Sequence, residues 1–328
     1  MAVPFNIVIV AQAGRLSYEA LLFLASLRQS DPDFKGRVLI AMPQKGEKWR
    51  RDPAVKVPEI LALYERMGAE IMPFESGHFG SDYPTGNKIE CLSAMPEGEP
   101  FIFFDSDTLV LGPLSSLKID FNRPSASMNR LATWPKPELY HAGYEEIWRS
   151  LYDKFGLDFE SSLEPKLAPD DWRRYLYFNA GWFYGPCPVK FGRRFTEWAV
   201  AIRNDPPEAL AAQAMEPWLD QITLPLVLHS FGGGRPDKQA AKLDDKLTCH
   251  WRALPLLYAT GDEGLIGFLE ELVKPNWLKK VLRTYEPFLQ FIWKKQGQQV
   301  RELFPGGTDG LAEKVVRNRI KTAELWMR

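Results

Sequence analysis

At 328 residues the chain has room for about two domains of roughly 150 residues, or one large α/β domain with an appendage. Its 45% hydrophobic and 25% charged side chains exclude a largely disordered, collagen-like or coiled-coil polymer. Forty-one Lys and Arg against 42 Asp and Glu leave a formal charge of −1, so no global basic field recruits nucleic acid. Three cysteines, Cys91, Cys187 and Cys249, form an odd total without C-x-x-C spacing, which argues against a disulfide framework or a thiolate zinc site and for a reducing compartment, read as the cytoplasm.

The apolar run at 5–13 has no basic region before it and is too short for a membrane span, so it reads as a first β-strand. Gly14 then makes a turn and Ser17 a plausible N-cap, and Leu21, Leu22, Leu24, Ala25 and Leu27 suit a packed helix. A strand at 38–42, a helix at 58–67 ended by Gly68 and a strand at 70–74 repeat the pattern. A Gly- and Ser-rich stretch at 75–86 leads into a helix at 88–94 and a strongly apolar strand at 101–104. Such alternation predicts an α/β fold with a mostly parallel sheet covered on both faces.

The stretch 122–175 mixes Pro, Trp and Tyr around one expected helix, 144–155, and reads as a wall on the acceptor side, with Trp134 and Trp172 as candidate sugar-stacking rings. A strand is expected at 175–184, a helix at 188–204 with Pro188 in its first turn, and a helix at 218–231 running into three glycines. From Lys274 onward twelve basic residues face five acidic ones, a local surplus of +7.

Asp105-Ser106-Asp107 follows the apolar strand, and residues two apart on extended chain face the same way. Paired carboxylates repel unless a cation or shared proton relieves them, and hard oxygen ligands suit Mg²⁺ or Mn²⁺ carried with a diphosphate. The carboxyl end of a strand in an open α/β sheet is also where ligands bind.

Asn87-Lys88-Ile89-Glu90-Cys91, then 103–111 around the D-x-D triplet, then Phe178-Asn179-Ala180-Gly181, then Asp220-Gln221 and a late His250 together resemble glycogenin and its relatives. That resemblance spans roughly 5–255 and implies a metal-dependent, retaining glycosyltransferase of the GT-A (Rossmann-like) fold using a nucleotide sugar, with a UDP-sugar expected. It implies Asp105, Asp107 and His250 as ligands of Mn²⁺ or Mg²⁺, with His229 the competing imidazole. Val10, Ala11, Gln12 and Tyr18 are implied around the base, Lys88 and Asp105 near the ribose or donor sugar, and Ser106 in the same donor-binding set. Asn179, Gly181, Asp220 and Gln221 are implied around the sugar and the reacting face, Asp220 as stabiliser of oxocarbenium charge or, less favoured, as nucleophile.

One departure stands out. Relatives follow the metal histidine closely with a Lys-Pro-Trp element whose lysine binds pyrophosphate, whereas this chain continues Trp251-Arg252-Ala253-Leu254-Pro255, leaving Arg252 to supply the charge. The expected organisation is a catalytic domain at 1–255, with a nucleotide-sugar half at 1–111 and an acceptor half at 112–255, followed by a basic helical appendage at 256–328.

Two other readings compete. A haloacid-dehalogenase-like phosphatase would use Asp105 as nucleophile and Asp244-Asp245 or Asp262-Glu263 as its late acidic motif, though Leu109 replaces the usual Thr or Val. A module that binds nucleotide sugars without turnover is the other. The acceptor is expected to be a saccharide or glycolipid head. In the appendage, Lys279, Lys280, Arg283, Lys294 and Lys295 alternate with Trp277, Leu282, Phe288, Phe291 and Trp293, which suits either peripheral contact with the anionic inner face of a membrane or packing on the catalytic domain.

Overall fold

A β-branched run with side chains buried on both sides is what a central strand of a helix-covered parallel sheet requires, and Asn6–Val10 forms β1 with all five residues buried. The computed structural model describes residues 4–130 and 133–327. The ends of the expected domain ranges at 1–3 and 328, and positions 131–132 of the expected acceptor wall, lie outside the described residues.

Gly14, at φ 90°, turns the chain into α1 (Arg15–Ser30), a left-handed conformation that glycine adopts at little cost. β2 (Val38–Pro43), α2 (Pro58–Arg66) and β3 (Glu70–Phe74) continue outward from β1. After the short α3 (Asn87–Glu90), β4 (Phe101–Phe104) returns to the other side of β1. The main sheet has the order β3-β2-β1-β4-β6, where β6 (Trp182–Gly185) is antiparallel to β4 and the other pairs are parallel. Strand order reverses at β1 and β4, so the crevice for a ligand opens beyond their carboxyl ends. This mixed, mostly parallel sheet between helices is the GT-A arrangement that the resemblance implies.

Successive strand residues feed opposite layers. Ile7, Ile9, Ile102 and Phe104 join the hydrophobic core beneath α1 and α2. Val8, Val10, Phe101 and Phe103 join the core shared with α4 (Tyr144–Lys154), α5 (Pro188–Asn204) and α6 (Leu219–Ser230). Past α7 (Lys242–Asp245), a small second sheet pairs β5 (Thr108–Val110) with β7 (Thr248–His250) in antiparallel register.

The remaining helices are α8 (Leu254–Thr260), α9 (Glu263–Leu272), α10 (Asn276–Leu282), α11 (Glu286–Phe288), α12 (Gln296–Glu302) and α13 (Glu313–Thr322). They contribute Leu269, Leu278, Val300 and Ile320 to the core beneath α1. Leu282, Phe288 and Phe291, offered as interfacial anchors, are buried in that core, and the Trp277 ring lies 4.5 Å from the Arg66 guanidinium. Of the two readings of this segment, packing on the catalytic domain is what these buried residues do, while Trp277 and Trp293 are partly buried and Lys280, Arg283, Lys294 and Lys295 stay exposed. Among the described residues, no helix is long and apolar enough to cross a membrane.

Two expected elements are shorter than their sequences suggest. The helix at 88–94 is one α-turn followed by a 3₁₀ turn at Cys91–Ala94. Of the strand at 175–184 only the end pairs, because Ala180 takes a left-handed φ of 62° and the Asn179 amide donates to Ser127 rather than to a ladder.

Candidate active site

The D-x-D carboxylates leave the end of β4, and the Asp105 amide donates to the Gly181 carbonyl at 2.8 Å, which ties the triplet to the segment entering β6. Register then delivers the histidine: β7 runs antiparallel to β5 with His250 opposite Thr108, next to Asp107. His250 Nε2 lies 3.1 Å from Asp107 Oδ1 and 3.7 Å from Asp105 Oδ2. Ligand atoms of Asp105, Asp107 and His250 all fall within 4.8 Å of one another. Two carboxylates and one imidazole form a donor set that fits Mn²⁺ or Mg²⁺, leaving further coordination positions to oxygens of a ligand. Burial pushes the Asp105 carboxyl above the usual carboxylate range, against the opposing pull of Lys88 and His250.

Gly181 is required by this packing. A Cβ there would stand 2.3 Å from His250 Nδ1 and 3.0 Å from Asn179 Oδ1. Replacing Gly181 with Ala is therefore expected to displace the imidazole and weaken Mn²⁺ binding by about ten- to a hundredfold, the cost typical of disturbing a ligand's support, as read by metal titration on folded protein.

Lys88, reaching from α3, joins the carboxylate end of the site to α6. Its Nζ lies 2.9 Å from Asp105 Oδ1, 3.3 Å from Asp220 Oδ2 and 3.3 Å from the Ala180 carbonyl. Burial opposes its charge, yet the two carboxylates outweigh that penalty and hold its pKa above the ordinary lysine value. Asp220 is 1% exposed, and its Oδ1 accepts from the Tyr83 hydroxyl at 2.8 Å. Gln221 Oε1 accepts from the Tyr177 hydroxyl at 2.6 Å, and Asn179 Nδ2 donates to the Asn129 carbonyl at 2.7 Å.

A pocket of about 290 Å³ opens at the β1/β4 switch point, lined by Val10, Gln12, Arg15, Lys88, Asp105 and Asp107 among others. Ser106 also faces it, with its Oγ donating to buried Glu19. The Gln12 side chain is fixed by the Asn87 amide at 3.2 Å. Ala11 is fully buried, its amide bonded to the Ala41 carbonyl.

Two expected donor-site residues are engaged elsewhere. The Tyr18 ring stacks on Tyr285 at 4.8 Å and its hydroxyl meets Thr284. Arg252, at a left-handed φ of 57°, pairs with Glu313 of α13 at 2.7 Å. Trp134 is corrected as a sugar-stacking ring: it is 3% exposed, edge-on to Trp148, with its indole N–H donated to the Ala214 carbonyl. Trp172 is partly exposed, with the Arg130 guanidinium 4.4 Å over its ring. His229 packs against Tyr152 and Ser161, apart from the carboxylate pair.

Sequence reasoning passed over Arg15, Glu19, Tyr83 and Tyr177. The Arg15/Glu19 spacing of four on one helix was a usable signal, and they do pair at 2.7 Å. The tyrosines carried none, because their partners lie 44 and 137 residues away.

A family model described as the Rhodobacterales glycosyltransferase domain matches residues 7–232. No curated protein matches. Similar solved structures include the galactosyltransferase LgtC in complex with donor and acceptor sugar analogues, at 15% identity, covering 84% of this chain and 96% of that one with a TM-score of 0.44. The bifunctional glycosyltransferase WbbM is 15% identical, over 86% of this chain and 51% of that one, with a TM-score of 0.46. The glycosyltransferase GlyE of Streptococcus pneumoniae TIGR4 is 14% identical, over 89% and 64%, with a TM-score of 0.44. These likenesses are distant and fix no residue's role.

Proposed function

Because the chain belongs to the Rhodobacterales glycosyltransferase family, we propose that it moves a hexose from a UDP-sugar to a saccharide or glycolipid acceptor, with retention at the anomeric carbon and with Mn²⁺ or Mg²⁺ held by Asp105, Asp107 and His250. Membership in a transferase family displaces both the phosphatase reading and the binding-only module. Asp244, a candidate for the phosphatase's late acidic motif, instead accepts from Ser127 Oγ, the Met128 amide and the Trp182 indole, a structural hub.

The observation that carries the reading is the gathering of the three ligand atoms within 4.8 Å beside a pocket at the sheet's switch point. A bound divalent ion supplies electrostatic stabilisation of the charge that grows on the departing diphosphate. The chain's own residues do the rest. Val10 and Gln12, which line the pocket, hold the base at the end of β1, where Asn87 fixes the Gln12 side chain, while fully buried Ala11 backs them from the sheet. Lys88, bridging Asp105 and Asp220, sets the distance between the diphosphate end and the sugar end of the site. As the bond from the anomeric carbon to the phosphate oxygen breaks, its electron pair leaves with the diphosphate and the sugar ring gains positive charge, which Asp220 offsets. Both Asp220 oxygens are already engaged, by Tyr83 and by Lys88, which favours this electrostatic role over nucleophilic attack. Asn179, Gly181 and Gln221 line the reacting face, and the acceptor hydroxyl enters on the side from which the diphosphate departs, its oxygen bonding to the anomeric carbon and its proton passing to the departing diphosphate oxygen.

Thermal-shift screening of UDP-, GDP-, CDP- and TDP-sugars with Mn²⁺ tests the donor. UDP-sugars are expected to give the largest stabilisation. A preference for GDP over UDP by more than about tenfold, roughly 1.4 kcal/mol, overturns the nucleotide assignment.

A further inference from the structure

We propose that Arg15 is the residue that grips the donor's diphosphate, an assignment that rests on reading the pocket as a nucleoside-diphosphate site. A departing nucleoside diphosphate carries more negative charge than one divalent ion offsets, so a further cation at the diphosphate favours its departure, and the lysine of the Lys-Pro-Trp element is missing after His250. Arg252, the cation nearest in sequence, pairs with Glu313 at 2.7 Å and does not line the pocket. Among the described residues lining the pocket, the cations are Lys88 and Arg15. Lys88 is taken up by Asp105, Asp220 and the Ala180 carbonyl, which matches its three N–H donors.

Arg15 differs in each respect. It stands in the first turn of α1, just beyond the end of β1, and its side chain is 29% exposed at the pocket. Its Nη1 is held 2.7 Å from buried Glu19 and lies 3.8 Å from Asp107 Oδ2, beside the metal ligands. A guanidinium has five N–H donors in a rigid fork, so pairing one edge with Glu19 orients the group and leaves the other donors for phosphate oxygens. Glu19 is thus a positioning residue for Arg15, and Ser106 Oγ, donating to Glu19 Oε2 at 3.2 Å, braces it from the D-x-D loop.

Calorimetric titration of uridine, UMP and UDP in Mn²⁺, on wild type, Arg15→Gln, Arg15→Lys and Arg252→Gln, tests the assignment. The wild type is expected to prefer UDP over UMP. Arg15→Gln is expected to lose about ten- to a hundredfold in UDP affinity, the range for charge-assisted hydrogen bonds, while uridine affinity is unchanged, showing that the base site is intact. Arg15→Lys should recover part of the loss, keeping the charge without the fork. Wild-type UDP binding matched within twofold by Arg15→Gln overturns the assignment and leaves the pocket reading standing. Loss of the UDP preference in Arg252→Gln, with Arg15→Gln unaffected, overturns it in favour of Arg252. Failure of the wild-type protein to bind any of the three ligands overturns the pocket reading, and the assignment with it.

Discussion

Replacing Asp107 with Ala should lower transfer by about a thousandfold or more, since a metal ion at the departing oxygens contributes several kcal/mol of transition-state stabilisation. Asp107 lies 3.1 Å from His250 Nε2 and, although buried, lines the pocket just beyond the end of β4, so its loss removes one of three clustered ligands beside the pocket and not from the hydrophobic core. Folding is expected to persist, with an unchanged far-ultraviolet dichroism spectrum. Nucleotide affinity in EDTA should match that of the wild type in EDTA, and the Mn²⁺ enhancement should vanish. A variant that keeps Mn²⁺-enhanced UDP binding would show that the carboxylate does not hold the ion.

Lys88→Met is expected to have the largest combined effect on stability and activity. The substitution keeps most of the stem's volume but removes the cation between Asp105 and Asp220, and Asp220 is 1% exposed. Stranding a buried charge by removing its partner costs about 3–5 kcal/mol, so the thermal midpoint should fall markedly. Activity should be lost as well, because Asp220 and Asp105 no longer share a fixed point. The double variant Lys88→Met/Asp220→Asn separates these effects: neutralising the stranded carboxylate should restore part of the stability and none of the activity. A single variant as stable as the wild type would refute the bridging role given to Lys88.

Local signals made much of the catalytic frame legible. The β-branched run of β1, the apolar residues of β4 and Pro188 at the start of α5 each state their structure within a few residues. The D-x-D triplet could be placed because alternation along extended chain and the end of an apolar strand are both local facts. His250 is different in kind: it reaches Asp107 through antiparallel pairing of β5 and β7 across some 140 residues, which no spacing rule encodes, and only the ordered set of motifs pointed to it.

What the sequence hid has the same origin. Residues 175–181 are rich in buried aromatics and look like strand, yet the left-handed Ala180 turns the backbone so that its carbonyl meets Lys88 and Gly181 packs on His250. Trp134, Phe288 and Phe291 carry no mark in the sequence distinguishing a sugar platform or membrane anchor from core, and in the fold each is buried in a hydrophobic core. Arg252 gained weight from its nearness to His250 in sequence, but at φ 57° it turns toward Glu313, while Arg15, far away in sequence, faces the carboxylates.

The central claim is metal-dependent transfer from a UDP-sugar at the Asp105, Asp107 and His250 cluster. Its most direct test is to incubate the purified protein with a panel of UDP-hexoses, with and without saccharide acceptors, and to follow UDP release by chromatography in Mn²⁺ and in EDTA. UDP released from at least one UDP-hexose in Mn²⁺, and abolished by EDTA, is the predicted result. Release undiminished by EDTA, or consumption of GDP-hexoses with every UDP-hexose left intact, would contradict it.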